Sequence, residues 1–164
     1  MKRLIVTRHG KAAVSSETGL DADRPLTGLG HGQARWLAER FSDAVAMDGL
    51  PPTRVLVSPA VRTRETAEPI LAALGLDAVI DERLFIDEPV GPVIDLIADL
   101  LSGEDDCVCV VGHNPQVSYL VGTVCGGPMG ACASMRTGEA AVLGFDPDEP
   151  AGGGRELMRL RFDG

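Results

Sequence analysis

Three short segments of this chain carry side chains whose types and spacing suit chemistry on an anion. They are Thr7-Arg8-His9-Gly10, Ser58-Pro59 with Arg62 and Arg64 close behind, and Gly112-His113-Asn114-Pro115. Brought together, two histidines and two or three arginines make a site for a phosphoryl group. The planar fork of arginine holds phosphoryl oxygens bidentately and keeps its charge at any working pH. A neutral imidazole nitrogen can attack phosphorus, forming a covalent phosphohistidine and dividing one difficult displacement into two. A second histidine, when protonated, stabilises the equatorial charge as the phosphoryl group passes.

The elements that must position these residues are legible around them. Leu4-Ile5-Val6, Val55-Leu56-Val57 and Val108-Cys109-Val110-Val111 are short, continuous and rich in β-branched residues, the pattern of strands covered on both faces. Ala78-Val79-Ile80 is a further, shorter candidate. Between them Ala34, Leu37, Ala38 and Phe41 keep a helical period, as do Ile70, Leu71 and Leu74, and residues 93–101 read as a third helix. Thr27 is placed as a helix N-cap, with Gly75 and Gly103 as terminators. Two late strands are expected at 140–145 and 157–162, with an exposed loop over 146–154 between them. This alternation predicts one α/β domain over 1–164, a three-layer α/β/α sandwich around a mostly parallel sheet. In such sheets ligands bind outside the carboxyl ends of the strands, where all three segments fall. Neighbouring strand residues point to opposite faces, so Arg8 and His9 share a pocket only if the chain turns there, which Gly10 permits.

The same segments resemble the histidine phosphatase superfamily, also called phosphoglycerate-mutase-like. Arg8-His9-Gly10 matches its R-H-G signature, and Pro25-Leu26-Thr27 with Gly30 and Gln33-Ala34 matches P-L-T-x-x-G-x-x-Q-A. Ser58 to Ala67 matches S-P-x-x-R-x-x-x-T-A, and Gly112-His113 the second histidine motif. Arg24-Pro25-Leu26-Thr27 and His113-Asn114-Pro115 look most like the small SixA branch of phosphohistidine phosphatases, whose members lack an inserted helical cap. The resemblance implies His9 as nucleophile, with Arg8, Arg62 and His113 holding phosphoryl oxygens and Arg24, Gly10 and Asn114 contacting substrate. It implies no metal and no cofactor. Larger members carry a glutamate as general acid after the third strand; Glu82 is the best match, with Asp87 and Glu88 as rivals. The substrate is then a phosphorylated protein bearing phosphohistidine or a small phosphorylated metabolite. The competing readings are a phosphomonoesterase, a mutase and a catalytically weak phosphate- or phosphoprotein-binding module.

Composition narrows the field. A net charge of −9 argues against a nucleic-acid or anionic-membrane surface, and no apolar run approaches the roughly 20 residues that span a bilayer. The apolar start Leu4-Ile5-Val6 is interrupted by Arg8 and His9 before reaching the ~7–15 residues of a signal-peptide core, so a cytoplasmic location is expected. Cys107, Cys109, Cys125 and Cys132 contain no C-x-x-C pair and are expected to be reduced thiols. No G-x-x-x-x-G-K-[ST], H-E-x-x-H or C-x5-R pattern is present. Arg64 is expected to pair with Glu68, His31 to be exposed, and Trp36 and Tyr119 to serve packing.

Overall fold

Residues 4–7 are fully buried in strand β1 (Lys2–Arg8), the first three as their unbroken apolar run demands. The computed structural model describes residues 2–44, 46–131 and 134–163. Around β1 it places β2 (Arg54–Val57), β3 (Ala78–Ile80), β4 (Cys107–Gly112), β5 (Ala140–Phe145) and β6 (Arg155–Leu160) in the order β3-β2-β4-β1-β5-β6. The first four strands in that order are parallel, and β5 and β6 complete the sheet antiparallel.

Alternate residues of each strand face opposite layers. Leu4 and Val6 of β1, Leu56 of β2, and Val108 and Val110 of β4 pack with α3 (Gly91–Ser102) and α4 (Gln116–Gly126). Ile5, Val55, Val57, Cys109 and Val111 pack with α1 (Gly28–Ser42) and α2 (Val61–Leu74) on the other face. The fold is thus the expected three-layer α/β sandwich. Thr27 caps α1 by accepting from the Gly30 amide at 3.1 Å, and Gly75 ends α2 in the left-handed conformation at φ 67°. Gly103 closes α3 without a left-handed turn, at φ −92°.

The connection from β1 to β2 leaves a gap that β4 fills, so chain order reverses where the three strands meet. Arg8 pairs with Gly112 and Val57 with Val111, so the residues that follow leave the sheet at one level.

Several expectations are corrected. β6 begins and ends two residues earlier than expected, because it is an exposed edge strand whose apolar content does not mark its limits. Tyr119 lies on the outer face of α4 and is exposed, whereas Trp36 packs on Phe162 with ring centroids 5.8 Å apart. Arg64 donates to the Pro59 carbonyl at 2.9 Å instead of pairing with Glu68, since side chains in a first helical turn lean toward the N-terminus. Cys107, Cys109 and Cys125 are free thiols, and burial pushes the first two up to about 12; Cys132 lies outside the described residues.

Candidate active site

The backbone leaves β1 at His9, whose amide donates to Gly112 O at 3.1 Å while its carbonyl accepts from the Gly138 amide at 2.8 Å. The buried imidazole places Nδ1 2.7 Å from Gly10 O. A carbonyl can only accept, so the ring proton sits on Nδ1 and Nε2 keeps its lone pair. Nε2 in turn lies 3.4 Å from Arg62 Nε. Burial lowers the His9 pKa to about 4; the bond to Gly10 works against this, and the charges of Arg62, Arg8 and Arg24 reinforce it. The ring is therefore neutral at neutral pH.

Gly10 matters for a reason different from the expected turn. A Cβ there would lie 2.7 Å from Gly30 O, and one on Gly30 only 2.3 Å from Lys11 O. The loop after His9 is pressed against the start of α1, and Gln33 Oε1 accepts the Lys11 amide at 2.8 Å to hold it. Thr66 fixes the other side, accepting the Gly10 amide at 3.0 Å and donating to Arg62 O at 2.7 Å.

His113 follows β4, and its ring centroid is 5.4 Å from that of His9. Its Nε2 is 2.7 Å from the buried Ser58 hydroxyl at the end of β2, and its Nδ1 is buried with no hydrogen-bond partner among the described residues. Burial, then the charge of Arg62, lowers its pKa to about 3. Without a bound anion it is therefore a neutral donor. Arg8 is anchored through Nη1 to Met135 O at 2.7 Å, while its buried Nε also lacks a partner among the described residues. Burial lowers the Arg8 pKa, and the buried carboxylate of Glu139 partly offsets this.

The remaining expected residues divide. Arg24 donates to Asp21 Oδ1 at 2.9 Å and Ala13 O at 3.0 Å, and its charge acts on His9. Asn114 is engaged by its own neighbours: its amide donates to Ser134 Oγ and Met135 O at 3.1 and 2.9 Å, and its Oδ1 accepts from Ser118 at 2.6 Å. It steadies the segment that anchors Arg8. Glu82 is exposed on a 3-10 turn, Glu82–Leu84, and among the described residues no hydrogen bond or ion pair joins its side chain to the cluster. That turn reaches the site through Phe85 instead, 6.4 Å from the His113 ring.

Sequence reasoning missed Asp21, Ser58, Thr66, Met135 and Glu139. Ser58 and Thr66 stand inside a matched motif, which was a usable signal. Asp21 had none. Its carbonyl and Oδ2 accept from Arg62 Nη1 and Nη2 at 2.8 and 3.0 Å, and its charge is the carboxylate charge felt at His113. A cavity of about 600 Å³ lies near the start of β1 beside Arg3, Met47 and Leu157, and none of its lining residues belongs to this cluster.

The model of the histidine phosphatase superfamily, branch 1, matches residues 4–85. The chain belongs to that superfamily. This histidine phosphatase superposes on the protein histidine phosphatase SixA complexed with tungstate with a TM-score of 0.81, at 28% identity over 96% of each chain. A SixA protein of Agrobacterium tumefaciens gives 0.77 at 26% identity, covering 98% of this chain and 97% of that one. The probable phosphoglycerate mutase GpmB of Enterobacter sp. is 35% identical over 86 residues, 51% of this chain but only 37% of that protein. The phosphatase is thus SixA-like in extent as well as fold. Among its described residues no helix is long and apolar enough to cross a membrane.

The two depressed histidines carry a pH prediction. Both folded pKa values lie below the ordinary 6.5, so between about pH 6.5 and 3 the unfolded chain binds protons that the folded chain refuses. Their contribution to stability is complete above pH 6.5 and falls as the pH drops, by up to about 1.4 kcal/mol per unit for each ring. NMR titration of the His9 ring is expected to give a midpoint near 4. A midpoint between 6 and 7 contradicts the buried, neutral site.

Proposed function

We propose that this phosphatase hydrolyses phosphohistidine on a protein, through phosphorylation of its own His9. The observation that carries the reading is the pair of buried groups with no hydrogen-bond partner among the described residues, Arg8 Nε and His113 Nδ1, in the cluster around His9. A buried donor left unpaired costs about 1–3 kcal/mol, and phosphoryl oxygens satisfy both groups. In the tautomer where the Ser58 hydroxyl donates to His113 Nε2, the neutral ring carries its proton on Nδ1 and is a ready donor.

His9 Nε2 attacks phosphorus while Arg8, Arg62 and His113 hold the equatorial oxygens, and the bond to the leaving group breaks. The positive charge gained by the phosphorylated ring is eased by the Nδ1–H bond to Gly10 O. Water then attacks phosphohistidine 9 and releases phosphate. Arginines and His113 supply the positive charge for these steps.

Two features favour a protein-borne phosphohistidine. The loop before Arg24 presents Val14 and Leu20 at 93% and 62% exposure, an apolar rim suited to a protein surface. Glu82 is not brought to the cluster, and an activated P–N bond demands less of a general acid than a stable ester does. The likeness to the protein histidine phosphatase SixA supports the same choice. We expect kcat/KM for a phosphohistidine protein to exceed that for sugar phosphates or phosphoglycerates by at least ~10-fold, about 1.4 kcal/mol in transition-state binding. Steady-state kinetics on such a panel tests this, and a strong preference for one small ester overturns it.

A further inference from the structure

We infer that Asp21 selects the leaving group: its carboxylate receives the ring N–H of a protonated phosphohistidine and so favours cleavage of P–N over P–O bonds. This rests on the reading of His9 as nucleophile and phosphohistidine as substrate.

The placement is specific. The Arg62 guanidinium bridges the attacking atom and this carboxylate, with Nε 3.4 Å from His9 Nε2 and Nη2 3.0 Å from Asp21 Oδ2. His9 and Arg62 are buried, whereas the Asp21 side chain is 55% exposed, so it stands on the side through which a leaving group must depart. Arg24 holds Oδ1 at 2.9 Å. Each carboxylate oxygen thus accepts one arginine N–H and retains a further lone pair. A cavity of about 370 Å³, lined by Val14, Leu20, Asp21 and Arg24 among others, adjoins it. Val14 and Leu20 give it apolar faces for an imidazole ring, and the Asp21 carboxylate is the anionic acceptor among its otherwise neutral or cationic polar lining of Ser15, Ser16 and Arg24.

The charge state decides which substrates gain. Partial burial opposes ionisation, but the bonds and charges of Arg62 and Arg24 outweigh it and hold the Asp21 carboxyl below the usual range. Asp21 is therefore ionised and cannot protonate a departing alkoxide, whose negative charge it would repel. With phosphohistidine the electrons balance without any proton transfer. The His9 Nε2 lone pair forms the new N–P bond, and the pair of the breaking N–P bond returns to the substrate ring. That ring keeps the proton already on its other nitrogen and leaves as neutral imidazole, while Asp21 remains a carboxylate.

The test compares wild type and Asp21→Asn on a phosphohistidine peptide and on p-nitrophenyl phosphate. The ratio of kcat/KM for the peptide to that for the ester is expected to fall at least ~10-fold in the variant. A nearby carboxylate raises the pKa of a bound cationic ring, so the alkaline limb of kcat on the peptide is expected to move down by about one unit when the charge is removed. An unchanged ratio with both rates lowered shows that Asp21 only steadies Arg62, and overturns the inference alone. Wild-type turnover of p-nitrophenyl phosphate without turnover of the peptide overturns the substrate reading, and the inference with it.

Discussion

Replacing His9 by alanine is expected to lower turnover on the order of 10⁴-fold or more, the scale seen when a covalent nucleophile is deleted. The loss is chemical, not structural. His9 sits at the end of β1, where its backbone bonds to Gly112 and Gly138 do not depend on the side chain. The melting profile at neutral pH should therefore stay cooperative. Wild-type enzyme quenched in base after brief contact with labelled substrate should carry the label on His9, because phosphohistidine survives base and decomposes in acid. A clean His9→Ala preparation that retains appreciable turnover, or a label that withstands acid, eliminates the covalent route. Two features of the structure make Nε2 the atom to be labelled: Nδ1 is tied to Gly10 O, and Nε2 faces Arg62.

Arg62→Ala is expected to reduce kcat/KM by at least ~100-fold, roughly 2.7 kcal/mol of transition-state stabilisation. The guanidinium lies against His9 Nε2, so in the proposed mechanism its bonds strengthen as phosphorus approaches that atom, and the loss should fall mainly on kcat. Its removal also leaves Asp21 held by Arg24 alone, a carboxylate beside the phosphoryl group with one of its two counter-charges gone. Arg24→Ala should cost less and act mainly on KM, because Arg24 reaches the site through Asp21 and Ala13 O. Equal and severe kcat losses at both arginines would place Arg24 on the phosphoryl group itself.

Much of this protein was determined by sequence alone, and the reasons are local. The runs ending at Val6, Val57 and Val111 are continuous because their strands are covered on both faces, and such runs cannot be read as amphipathic helices. Arg8, His9, Arg62 and His113 each follow one of those runs within a few residues, so their convergence at the carboxyl edge followed from the sheet being parallel. What tertiary structure decided lies between distant segments. Periodicity does not order strands, and the insertion of β4 between β1 and β2 is what sets His113 beside His9. Met135 and Glu139 reach Arg8 from beyond α4 in the chain, the first by a bond across 127 residues. Glu82 occupies a turn that does touch the site, but packing buries Leu84 and brings Phe85 toward His113, leaving the glutamate outside. Asp21 meets Arg62 across 41 residues, and no pattern of spacing encodes such a contact. A side chain's type and the period of its neighbours are written along the chain. Its direction, its burial and the charge it faces are set only when separate elements close on one another.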